Sequence, residues 1–166
     1  MNVCRSVVLA ASLVCAAAAA PLPAQDAFLP PGVSAEVHAA IQRGLAWLAR
    51  NQGSDGAWRN AGGYGSYPAA MTGMAGMALV ASGSAPTRGP HYAQVRRSVE
   101  FLLKQSDPNN GVISVAAEEG RSMYGHGFAT LYLASVYGME EDLRTQDRLK
   151  LVLDRAVGLI SAAQSP

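Results

Sequence analysis

The chain has 166 residues, 49% of them apolar and 15% charged, which fits one globular domain and excludes a disordered chain. Thirteen Lys and Arg against 12 Asp and Glu leave a net charge of +1. That balance gives no electrostatic footprint for nucleic acid or an anionic membrane surface.

Residues 1–24 read as a secretory signal peptide. Arg5 supplies the basic start, Ser6–Ala20 the apolar run, and Pro21 to Ala24 the exit. The run is shorter than the roughly 20 apolar residues of a membrane span. Ala24 is the expected cleavage point, with Ala16–Ala20 as competing sites. Val14 before Cys15 argues against a lipid anchor. The protein is therefore expected to be exported, to the periplasm or beyond. Both cysteines, Cys4 and Cys15, lie in this leader, so a mature chain would have neither disulfide nor thiolate ligand.

Residues 25–33 are a linker, and residues 34–166 alternate helices with glycine-rich loops. Val37, Ile41, Leu45, Trp47 and Leu48 recur at the spacing of an amphipathic helix, with Ser34 as N-cap and Glu36 in its first turn. Gly53-Ser54-Asp55-Gly56 is turn chemistry. Asn60 to Thr87 contains no charged residue, and Pro68 opens a helix to about Ser82 that is apolar all round and hence expected to be buried.

The alternation repeats. His91–Gln105 is amphipathic, with Val95, Val99, Leu102 and Leu103 inward, and Asp107-Pro108-Asn109-Asn110-Gly111 breaks it. Tyr124–Gly138 is a second uncharged helix. Leu143–Ala163 is amphipathic again, with Leu149, Leu151, Leu153, Val157 and Ile160 inward. No segment alternates as a strand would, so the fold class is all-α.

Arg43-Gly44-Leu45-Ala46-Trp47-Leu48 aligns with Arg97-Ser98-Val99-Glu100-Phe101-Leu102 and with Arg155-Ala156-Val157-Gly158-Leu159-Ile160. The three copies lie roughly 55 residues apart, a period of the order that marks helical repeats. Each copy closes on a glutamine: Gln52, Gln105 and Gln164.

The run from Arg43 through Gly44, Trp47 and Leu48 to Gln52, Gly53, Gly56 and Trp58 resembles the QW motif of the terpenoid cyclases. The mature chain is similar to the prenyltransferase and squalene oxidase repeat proteins of the protein prenyltransferase superfamily. Tyr124-Gly125-His126-Gly127-Phe128 looks like an inner-helix start in bacterial members. The resemblance implies an α/α toroid, here incomplete at about two and a half hairpins, with a Gln that caps a neighbouring helix and a Trp that stacks on it. Arg43, Gly44, Trp47, Gln52, Gly56 and Trp58 are then structural.

The chemistry of that superfamily does not carry over. Squalene-type cyclases use a DxDD motif, which this sequence lacks; Glu140-Glu141-Asp142 is read as a solvated loop. His38, His91 and His126 stand far apart without cysteine or clustered carboxylate, so no zinc site and no cofactor are expected. Gly62-Gly63-Tyr64-Gly65 has neither the preceding strand nor the following Lys of a phosphate loop, and no nucleophile elbow is present. The candidate catalytic groups are His126, as acid or base, and Tyr124 beside it; the alternative for His126 is a hydrogen bond that holds a hairpin. Tyr64, Tyr67, Tyr132 and Tyr137 could line a pocket or fill a core, and Met71, Met74 and Met77 form an adaptable apolar stripe.

The expected function is that of an exported structural or binding module without cyclase or zinc chemistry. The alternative is an enzyme: a cyclase or isomerase acting on an apolar isoprenoid, or a polysaccharide lyase of similar fold. Expected partners are an apolar small molecule, a second copy of the chain, or another toroid-like protein, the latter two because an incomplete set of hairpins leaves apolar surface uncovered.

Overall fold

The computed structural model describes residues 32–59, 67–115 and 122–164. Residues 1–24, read from the sequence as a signal peptide, and Gly62–Gly65 with Tyr64 lie outside the described residues. Among the described residues five helices follow one another: α1 (Ala35–Arg50), α2 (Pro68–Ala81), α3 (Tyr92–Lys104), α4 (Ser122–Tyr137) and α5 (Leu143–Ala162). Among the described residues the only β pairing is an isolated bridge between Ser106 and Ile113. The protein is all-α.

Local chemistry sets the helix ends. The Ser34 hydroxyl accepts from the Val37 amide at 3.3 Å, and Asp142 accepts from the Thr145 amide and hydroxyl at 2.9 and 2.7 Å, so each satisfies a donor that the first turn leaves free. Pro68 opens α2, where its missing amide costs nothing.

The α2–α4 pair is the most extensive helix contact, and small residues on α2 make it possible. A Cβ on Gly73 would stand 2.7 Å from the Phe128 carbonyl oxygen, and one on Gly76 would stand 2.4 Å from the Tyr132 ring. Tyr132 fills the space that Gly76 leaves. Its hydroxyl meets the Ser98 hydroxyl at 2.7 Å and donates to the Val95 carbonyl at 3.2 Å, which ties both central helices to α3. Burial pushes the phenol pKa up. The core around this joint comprises Leu79, Val95, Val99, Leu102, Leu133 and Val136, with Leu149, Val152 and Ala156 from α5.

Three expectations need correction. On α1 only Leu45 is buried; Val37, Ile41 and Trp47 are half exposed. The helices read as buried all round are open on one side, at Met74 of α2 and at Met123, Tyr124, Phe128 and Leu131 of α4. On α5 Leu151 and Val157 face solvent. The cause is the same in each case: an apolar position is covered only where a neighbouring element packs on it, and no described element covers these faces. Glu140 also departs from its reading as a solvated loop residue. It is buried, and its Oε1 accepts from the Glu141 and Asp142 amides at 2.9 Å each, fixing the entry to α5.

Candidate functional site

Of the QW-like residues, Gln52, Gly56 and Trp58 form a joint between α1, the loop after it, α2 and α3, whereas Arg43 is exposed and Gly44 and Trp47 line an open groove. Gln52 reaches from the end of α1 and donates to the carbonyls of Gly56 and Gln94, both at 2.9 Å. Its Oε1 accepts from Arg97 Nε and Nη2 at 3.0 and 2.6 Å. Gly56 lies against α3, where a Cβ would come within 2.3 Å of the Arg97 carbonyl oxygen, and its φ of +94° excludes side chains on a second ground. Trp58 is buried and donates its indole N–H to the Leu48 carbonyl at 2.9 Å. The Trp58 amide donates to the Thr72 hydroxyl on α2 at 3.0 Å.

A second joint repeats the first. Gly111, with φ +77°, packs on α5, where a Cβ would meet the Arg155 carbonyl oxygen at 2.6 Å. Ile113 takes the place of Trp58, two residues past the glycine and fully buried. The Ile113 amide donates to His126 Nδ1 on α4 at 3.1 Å, as the Trp58 amide does to Thr72 on α2. The spacing from Thr72 to His126 equals that from Arg43 to Arg97.

The two catalytic candidates are placed very differently. His126 is fully buried, and its Nε2 donates to the Ala156 carbonyl at 3.2 Å. With Nδ1 accepting and Nε2 donating, the ring is the neutral Nε2–H tautomer. Burial lowers its pKa, against a smaller upward pull from the Ala156 carbonyl. Both nitrogens are engaged by backbone groups, so the geometry gives His126 the role of a joint. Tyr124 is 70% exposed on the open side of α4, in a shallow apolar recess with Met123, Gly127, Phe128 and Leu131.

The larger concavity is the groove between α1 and α2. One part, of about 580 Å³, is walled by Ile41, Gly44, Leu45, Trp47, Leu48 and Ala78 and is almost wholly apolar. A second part of similar volume continues past Trp47 and Leu48 to Met71, Met74, Asn51 and Arg59. Arg59 is held by Asp55 through contacts of 3.0 and 2.5 Å, which neutralises the one charge at that end. Of the other aromatic candidates, Tyr132 is core and Tyr137 half-buried against it, while Tyr67 is the residue before α2, at φ +34°. Met71 and Met77 pack on the core and Met74 faces the groove. Among the described residues no three His, Cys, Asp or Glu side chains cluster as metal ligands, and no helix is long and apolar enough to cross a membrane.

The sequence pointed to Gln52, Gly56 and Trp58 but not to what they bind. Thr72, Gln94 and Arg97 were missed, although Thr72 carried a signal as a hydroxyl inside an apolar helix at the repeat spacing from His126. Comparison of the chain with protein-family models, curated proteins and solved structures finds no match.

Proposed function

We propose that this chain is an exported repeat module of the α/α-toroid kind, similar to the prenyltransferase and squalene oxidase repeat proteins, and that it works by binding rather than catalysis. Its α1–α2 face accepts an α-hairpin of the same repeat from another polypeptide. One observation carries this reading. Positions that α3 buries beneath the preceding hairpin are open at the aligned places on α1: Val95 is 0% exposed and Ile41 49%, Phe101 6% and Trp47 56%. Ser98 is likewise buried, whereas nothing lies within 4 Å of a Cβ on Gly44.

The repeat also identifies the shape of the occupant. It is a small-residue helix preceded by a glycine turn, as α2 and its loop are to α3. A second copy of this chain in the same register would set its α1 where α5 already stands on α4, so the register favours a different polypeptide over self-association. The buried, doubly bonded His126 and the neutralised Arg59 weigh against the cyclase, isomerase and lyase alternatives.

The test supplies the missing hairpin. A second copy of residues 34–90, carrying Trp47→Phe so that it brings no exposed tryptophan of its own, is joined ahead of Ser34, and quenching by iodide is followed. Trp58 is buried throughout, so quenching reports Trp47. The proposal expects quenching in the natural chain and its loss in the fusion, with a blue shift in emission. A fusion whose helix content rises by one hairpin while Trp47 stays accessible would overturn it.

A further inference from the structure

The two joints differ in one chemical respect. In the first, the loop amide of Trp58 is held by a hydroxyl, Thr72, which has no titration in the accessible range. In the second, the loop amide of Ile113 is held by an imidazole nitrogen, His126 Nδ1, while Nε2 holds Ala156 of α5. We propose that His126 is an acid-sensitive latch: protonation releases the loop of residues 105–115 from α4 and α5 and leaves the first joint closed.

The geometry dictates the direction. A proton on Nδ1 turns its lone pair into a donor, and the Ile113 N–H then faces an N–H with no acceptor between them. The imidazolium would also be a buried charge with no carboxylate among the described residues to receive it, an unfavourable state that opening relieves. Among the described residues, the elements packed against His126 offer no such partner. α2 carries no charged side chain. Lys104, at the end of α3, is exposed, and the Asp107 carboxylate in the loop is engaged by the Asn109 amide at 2.7 Å. On α5 the flanking Asp154 and Arg155 point outward, Asp154 paired with Lys150 at 2.6 Å and Arg148 with Glu100 at 2.8 Å. Tyr132, on α4 itself, is bonded to Ser98 and Val95.

The sign follows from linkage. A histidine whose folded pKa lies below its ordinary value of 6.5 contributes its full stability above that value. The contribution is lost as pH falls from there toward the folded pKa. The latch is therefore closed at neutral pH and opens on acidification.

The experiment is amide hydrogen exchange by NMR on the natural chain, read as protection factors for Ile113 and Trp58 from pH 7.5 to 5. The expected result is a fall of about tenfold or more at Ile113, with Trp58 changing less than about twofold, since one decade in an opening equilibrium is a modest free-energy shift. His126→Thr, which installs the residue of the first joint, should make Ile113 protection independent of pH. Should that variant fold poorly, the natural chain still decides. Parallel loss at both amides means general acid unfolding, and unchanged protection at Ile113 means no latch; either overturns the proposal. So does a His126 ring whose nitrogen shifts at pH 7 report anything other than the neutral Nε2–H tautomer.

Discussion

α1 and α3 carry the same six-residue pattern and are buried to opposite extents. On α3, Val95, Ser98 and Phe101 lie beneath α2, α4 and the loop that Gly56 anchors; on α1, Ile41, Gly44 and Trp47 line an open groove. The difference teaches that amphipathic spacing records which face of a helix is apolar and leaves open what covers it. Coverage belongs to the neighbour. α3 has a preceding hairpin whose Gln52 and Gly56 engage its Gln94 and Arg97, whereas α1 has no such hairpin among the described residues.

Substitutions can break this comparison, and the largest effect is expected where the central helices touch. Gly76→Val forces a branched side chain into the Tyr132 ring, 2.4 Å from the nearest Cβ position. It should destabilise by about 3 kcal/mol or more, at the top of the overpacking range, read by denaturant unfolding. Trp58→Ala should cost about 3 kcal/mol, because it removes a buried aromatic and the indole N–H that bonds the Leu48 carbonyl. A smaller loss would show that the first joint does not depend on the indole.

The glycines sharpen the contrast through opposite signs. Gly56→Ala meets the Arg97 carbonyl and a positive φ and should cost about 2 kcal/mol, in the range for strained backbone. Gly44→Ala meets nothing within 4 Å and should stabilise the natural chain by about 0.5 kcal/mol through helix propensity. The same alanine should leave docking of a hairpin intact, since its aligned positions, Ser98 and Ala156, carry a Cβ and are wholly covered. A thermal melt with both variants side by side checks the signs.

Three helices were legible from their period, α1, α3 and α5, and α2 from the proline at its start, whereas α4 was read only from its uncharged, apolar run. α3 was legible down to its buried face. The structural motif was legible in part: Gln52, Gly56 and Trp58 stand close together in sequence and announce a turn, but their partners sit on α2 and α3. No local pattern says which carbonyl an amide will reach. His126 stood out as the polar group opening an apolar helix. Only the backbone of Ile113 and Ala156, distant in sequence, defines it as a joint. Glu140 was misread for a related reason: a carboxylate in an acidic run looks solvated until its own helix-entry amides are seen to bind it.

The central claim is that the α1–α2 face is the hairpin-accepting surface of α3 without its hairpin. It is tested most directly by the unfolding free energy lost on Trp47→Ala at the original α1, measured in the natural chain and in the fusion that places a second copy of residues 34–90, its own Trp47 replaced by Phe, ahead of Ser34. The account expects a loss under about 0.5 kcal/mol in the natural chain, as for surface substitutions. In the fusion it expects about 3 kcal/mol, as for a buried aromatic such as the aligned Phe101. A loss that is small in both proteins, with the added hairpin folded, would contradict it.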